Sequence, residues 1–231
     1  DAVGASFAGA TLTDAELDET TLTRTDFSEA NLDDVDLTDA TLQNSDLSAA
    51  TAERATADDA DFAGATLDGL TAPDASLRRV TLTDADTTGV DLSGADLQEA
   101  TLVEADLTEA TLAETLLVRA DLTAATLDET DLSTVDATDA TLADASLVAA
   151  DLGGSTLDGS DLAGVTAREA TLTDASLRRV TLTDADLSEA ALTQATLTGG
   201  DLSGATLASA DLTDAVAADA TASDASLADA T

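Results

Sequence analysis

The chain has 231 residues and carries 48 Asp and Glu against 8 Arg, with no Lys, His, Cys, Met, Trp or Tyr, for a formal net charge of -40. These absences exclude disulfides, thiolate–zinc sites and any hydroxyl nucleophile activated by a neighbouring His or Lys. No apolar run approaches the length of a transmembrane helix, and the opening residues lack the basic-then-apolar pattern of a signal segment.

From Ala2 to Leu227 every fifth residue falls in one register that never slips, and Leu fills 34 of its 46 places. Phe7, Phe27 and Phe62 take three more; the rest are eight Ala and Thr87. The residue two places earlier is nearly always Ala, Val, Ser or Thr, so the unit reads A-(D/T)-L-x-x, as in Ala105-Asp106-Leu107-Thr108-Glu109. In an α-helix, at about 100° per residue, a five-residue repeat drifts by roughly 140° each time and spreads the leucines over every face. In a flat strand, successive leucines point to opposite faces. The period is satisfied by a short extended piece with the small residue and the Leu inward, then a bend, so the chain coils and stacks turn on turn.

Units such as ADLTEATL at 105–112 and ADLSEAAL at 185–192 resemble the A-(D/N)-L-x-x signature of pentapeptide-repeat proteins, and the resemblance runs from end to end. It implies an all-β fold, a right-handed four-sided β-helix with one pentapeptide per side, about twenty residues per coil and about 11 coils. Thr often stands where the signature has Asp or Asn, as in ATLAE at 110–114, at a place that faces outward in such a fold. With Pro73 alone and no Gly/Ser-rich stretch, residues 1–231 read as a single solenoid domain. At the inter-strand spacing of about 4.8 Å the coils make a rod of roughly 55 Å.

Along the chain, DASLRRVTLTDAD occurs at 74–86 and again at 174–186, an offset of five coils that projects both copies from one side; partial duplication is the favoured explanation and selection for two equivalent contact points the alternative. Mapped onto four sides, Arg78, Arg79, Arg119, Arg178 and Arg179 share that side, because their numbers leave remainders of 18 or 19 on division by twenty. Leu116 and Val118 join them at outward places, with Val216 further along. Apolar residues ringed by Arg form a candidate contact surface, most simply for a two-fold dimer. The alternative is that each Arg pairs with carboxylates in the coils above and below. The last coil is thinly filled by Ala217 and Ala222, and no capping helix follows, so end-to-end stacking, a removed cap and fraying all stay open. The chain opens at Asp1 without an initiator Met and already in register, which leaves processing open, and the sequence leaves the compartment open between the cytoplasm and a secreted or cell-surface location in a salt-loving organism.

Carboxylates stacked in adjacent coils, such as Asp86 and Asp106, read as a solvated face, since a dedicated cation site needs convergent oxygens. No cofactor, metal or catalytic residue is indicated. The acidity has two readings. Dense carboxylates without Lys resemble the surface style of extreme halophiles, which stay hydrated where the Debye length falls to about 3 Å. Alternatively, forty charges over roughly 55 Å is about 0.7 per Å, close to the roughly 0.6 per Å of duplex DNA, and some pentapeptide-repeat proteins are DNA mimics that occupy a type II topoisomerase. The leading expectation is a non-enzymatic scaffold rod, salt-adapted, that binds a protein partner or itself, with no direct nucleic-acid contact and no membrane span. The alternative is a DNA-mimic regulator of a topoisomerase or other DNA-binding protein.

Overall fold

The computed structural model describes all residues 1–231, and its geometry follows from where each pentapeptide sends its backbone amides. Around Leu107, the Leu amide donates to the Thr126 carbonyl at 2.7 Å, Glu109 to Asp128 at 3.0 Å, and Asp106 back to Ala85 at 3.1 Å. The Ala110 amide closes the corner onto the Leu107 carbonyl at 3.0 Å. Four of every five amides are therefore satisfied by backbone, two toward the next coil, one toward the previous coil and one within the corner. Parallel bridges link residues twenty apart from Ser6↔Asp26 through Thr206↔Ser226, so the coil has four sides. Each side contributes one bridging residue per coil, which is shorter than the extended piece expected from the sequence.

The fifth amide belongs to the residue after the Leu, and the side chain before the Leu supplies its acceptor. Asp106 Oδ1 accepts from the Thr108 amide at 3.1 Å and the Thr108 hydroxyl at 2.6 Å; Asp121, Asp186 and Asp201 repeat the pattern. This is an Asx turn, which Asp and Asn build because their carboxamide or carboxylate reaches the backbone two residues on. The position is half-buried in most coils rather than simply outward, although Asp106 itself is exposed. Where Ser or Thr stands there, an aspartate of the preceding coil can substitute: Asp58 accepts from the Ser76 hydroxyl at 2.6 Å and the Arg78 amide at 3.1 Å.

Every corner turns through a left-handed residue two places after the Leu, with φ between 52° at Glu19 and 74° at Gly204. Only 11 of these corners are Gly. An L-residue there costs roughly 1–2 kcal/mol, least for Asn and Asp, and the repeated corner hydrogen bond holds it in place. Glycine serves a second purpose at some corners: a Cβ at Gly94 would lie 2.7 Å from Asp74 Oδ1 of the preceding coil.

Inside, the Leu register and the small residues two places earlier stack into one continuous column, buried from Leu22 to Ala210. Leu107 is fully buried between Thr87 and Leu127, and Thr87 keeps its hydroxyl satisfied on the Asp106 carbonyl at 2.6 Å. Phe7 and Phe27 stack with ring centroids 5.3 Å apart. The column thins where the register reads Ala52, Ala57 and Ala72, leaving an apolar cavity of about 40 Å³ that Phe62 and Leu70 only partly fill. The first and last coils lack a neighbour on one side, so Val3 and Leu227 are about half exposed.

Three outcomes follow from this geometry. Truncating Leu107 to Ala should cost about 2–5 kcal/mol in equilibrium unfolding, while Thr108→Ala costs well under half of that; equal effects would refute the register. Thr134, a β-branched residue at φ 57°, should yield about 1 kcal/mol of added stability on substitution by Gly, whereas Gly94→Ala should lower the melting temperature. Acid should also unfold the rod. The hydroxyl and then the amide of Ser203 hold Asp201 below the usual carboxylate range, and Ser28, Thr38 and Thr213 do the same for Asp26, Asp36 and Asp211. A group depressed in the folded state contributes stability that is complete above the unfolded value near 3.9 and is lost as pH falls through the folded value. Melts in about 1 M salt, where repulsion is screened, should therefore hold from about pH 7 to 5 and fall below about pH 4. Stability at about pH 3 equal to that at about pH 7 would contradict the role given to these aspartates.

Candidate interaction surface

The side made by pentapeptides 15–19, 35–39 and so on to 215–219 is where the structure brings the candidate residues together. The bridge ladder Ser76↔Asp96↔Leu116↔Asp136 runs on to Ser176 and Val216, which puts Arg78, Arg79, Leu116, Val118, Arg119, Arg178 and Arg179 on one face as expected. Leu116 is 36% exposed between Asp96 and Asp136, and Val216 is 51% exposed. Val118 is half-buried beside it.

Four of the five arginines on this side also find carboxylates in their own rod. Arg79 Nε donates to Asp59 at 2.7 Å, Arg119 pairs with Glu99, Arg178 lies 3.4 Å from Asp158, and Arg78 lies 4.0 Å from Asp96. Down the corner column the order is Asp59, Arg79, Glu99, Arg119, Asp139, a ladder of alternating sign with one step per coil. The Arg79 guanidinium holds Asp59 below the usual carboxylate range. At Asp158, partial burial works the other way, and the Ser176 hydroxyl, the Arg178 amide and the Arg178 guanidinium together outweigh it. These pairs are substantially exposed, so each contributes little to stability on its own.

Arg179 is different. The corner residues directly above and below it are Gly159 and Gly199, and no carboxylate lies within ion-pairing distance of its guanidinium. Its aliphatic stem covers Gly199, where an added Cβ would sit 3.5 Å from Arg179 Cγ. The partners Asp59, Glu99 and Asp158 were not singled out from sequence, although the rule that finds them is simple: a carboxylate exactly one coil, twenty residues, before an arginine. The same rule finds Asp34 for Arg54, at 2.8 Å on another side.

The surface has no cleft that gathers reactive groups. The stacked carboxylates Asp86 and Asp106 each spend an oxygen on the residue two places ahead, Thr88 and Thr108. A shallow groove beside Gly94 is lined by Pro73, Asp74, Ser93, Ala113 and Glu114. The enclosed cavity is lined by Leu, Ala, Val and Phe with Thr87 alone.

Comparison with known proteins gives a consistent account of the repeat. The family model for pentapeptide repeats matches in 8 copies, over residues 3–39, 36–69, 75–113, 115–154, 145–184, 160–199 and 185–220. A search of curated proteins returned no match. Among solved structures the chain is similar to HetL, a pentapeptide repeat protein involved in heterocyst differentiation regulation in the cyanobacterium Nostoc, with 31% identity, 87% of this chain and 88% of HetL covered, and a TM-score of 0.42. It is similar also to Rfr23 from the cyanobacterium Cyanothece, at 28% identity over 42% of this chain and 63% of Rfr23, with a TM-score of 0.28. QnrB1, a plasmid-mediated fluoroquinolone resistance protein, aligns at 15% identity over 94% of this chain and 90% of its own, with a TM-score of 0.28. The uninterrupted register and the family match together place the fold as a right-handed four-sided β-helix, and the chain belongs to the pentapeptide-repeat family.

Proposed function

We propose that residues 1–231 form a single solenoid domain that serves as a non-enzymatic, salt-adapted scaffold, meeting a protein partner through the side that carries Arg78, Arg79, Leu116, Val118, Arg119, Arg178 and Arg179. The observation that carries this reading is the contrast between that side and the one opposite. Each holds 13 acidic residues, but the first has five arginines and an exposed Leu116, and the second has Arg168 alone. An apolar centre within mixed charge is the composition of a contact surface. Catalysis lacks support, since no carboxylate pair is buried to split its acid and base roles and no hydroxyl has a base beside it. Salt adaptation accounts for the absent Lys as well as for the acids.

A second reading rests on the opposite side, whose 13 acids are countered by Arg168 alone and so present the nearly unbroken negative charge a DNA mimic would show to a basic groove. Such binding weakens steeply as salt releases counterions, which sets it against a fold that needs salt. Two measurements separate these readings. The melting temperature should rise steeply between about 0.01 M and 1 M salt, as the Debye length falls from about 30 to 3 Å; an unchanged value would remove the salt adaptation. In the salt that supports folding, DNA gyrase supercoiling should proceed with no strong inhibition by this chain. Potent inhibition, abolished by neutralising Asp106, Glu109 and Glu129 on the opposite side, would make mimicry the primary function.

A further inference from the structure

The corner column of the Arg-bearing side reads Glu19, Asp39, Asp59, Arg79, Glu99, Arg119, Asp139, Gly159, Arg179, Gly199, Asp219. Turned end for end and laid against itself about a point midway between Glu99 and Arg119, this column becomes its own complement. Arg119 then faces Glu99, Arg79 faces Asp139 and Arg179 faces Asp39. Asp59 and Glu19 face Gly159 and Gly199, which have no side chain at all, and Asp219 overhangs the first coil of the facing rod. No like charges meet along the column.

We propose that the partner of this side is a second copy of the chain, packed antiparallel, with the two-fold axis passing between the coils of Glu99 and Arg119. The proposal rests on the reading of this side as the contact surface and adds its occupant and register. A two-fold axis lying in the contact plane and perpendicular to the rods reverses the order of coils while keeping each column opposite itself. In the column before the Leu, Asp36 then faces Ser176, Asp136 faces Ser76, Glu16 faces Thr196 and Asp96 faces Leu116. In the column after the Leu, Thr38 faces Arg178, Thr138 faces Arg78 and Gln98 faces Val118. The single like-charge pair in the three columns is Asp58 with Asp158, and Asp158 has Arg178 beside it at 3.4 Å. The two copies of Leu116 fall one coil apart across the axis, and so do the two of Val118, which places the apolar residues at the centre of the contact.

Other arrangements are poorer. Parallel rods related by a two-fold along their length exchange the two edge columns, which sets Asp36 against Asp39, Asp96 against Glu99 and Asp136 against Asp139, and they oppose Asp58 to Asp58 and Arg78 to Arg78 in the column between. Moving the axis by half a coil, onto Leu116, brings Glu99 against Asp139 and Arg119 against itself. Moving it half a coil further brings Arg79 against Arg179. The area suffices: a quarter of the 9123 Å² accessible surface is about 2,300 Å², against roughly 800 Å² per partner in a standard contact. Two rods of formal charge -40 repel at long range, and molar salt shortens that repulsion to about 3 Å while leaving contacting pairs intact. Association should therefore strengthen between about 0.1 M and 1 M salt, opposite to an ordinary ion-paired contact.

Arg179 makes the test clean, because it has no ion pair within its own rod and Asp39 lies seven coils away from it on the same chain, beyond intramolecular reach. Sedimentation equilibrium in about 1 M salt compares wild type, Arg179→Asp, Arg179→Asp with Asp39→Arg, and Leu116→Asp, each checked for folding by circular dichroism. The expected result is a wild-type dimer, weakened at least about tenfold by Arg179→Asp through two like-charge contacts per dimer. Adding Asp39→Arg should bring it back to within about threefold of wild type, and Leu116→Asp should dissociate it. If Leu116→Asp dissociates the dimer but Asp39→Arg fails to rescue Arg179→Asp, the side stands as the contact and the register is overturned. A dimer indifferent to both Leu116→Asp and Arg179→Asp overturns the side as well. A monomeric wild type at all salt concentrations overturns the second copy as occupant.

Discussion

The chain must turn a corner every five residues, and it does so by placing one residue per pentapeptide in the left-handed region and returning the amide of the next residue to the Leu carbonyl. That repeated corner sets the rest. It makes a coil of twenty residues, so that residue n always lies over residue n−20 and identical places stack into columns. It turns two places per unit inward, which a Leu and a small residue fill, and leaves two or three outward. Because the backbone satisfies four amides in five by itself, the side chains after the Leu and at the corner are freed from holding the fold together, and a net charge of -40 can be carried without a large globular core.

The acids are nonetheless sorted by chemistry. Aspartate occupies the place before the Leu, where its short side chain reaches the one amide the backbone leaves free. Glutamate is too long for that turn, and nine of the eleven glutamates stand instead at the left-handed corner, projecting into water. Part of the acidity is therefore structural, because the Asp caps would be needed at any salt concentration, and part of it is surplus at corners where Gly would be less strained. The surplus is the part that the proposed salt adaptation and the proposed contact address.

The coil, its inward register and the gathering of five arginines were legible in the sequence because they depend only on position modulo five and twenty. The left-handed corner was not, since Glu, Arg, Ala and Thr134 at these places carry no local signal for positive φ; only the scattered Gly at the same places hints at it. The half-burial of the Asp place was likewise hidden, because Asp and Thr both read as outward polar residues and the hydrogen bond that separates them is a backbone matter. The arginine pairs lay between these cases. Their possibility was evident, but the isolation of Arg179 between Gly159 and Gly199 emerges only when the corner column is read as a column.

Amide hydrogen exchange in molar salt tests the repeated corner most directly. Across residues 102–106 the amides of Leu102, Glu104, Ala105 and Asp106 are all bonded to backbone, and that of Val103, which has Thr101 rather than an Asp two places before it, is not. The account predicts a protection pattern of period five, with Val103 and Ala113 exchanging fastest in their units and Thr108 and Thr123 slower than these because Asp106 and Asp121 accept their amides. Uniform protection along a unit, or fast exchange at Thr108 and Thr123 equal to that at Val103 and Ala113, would contradict it.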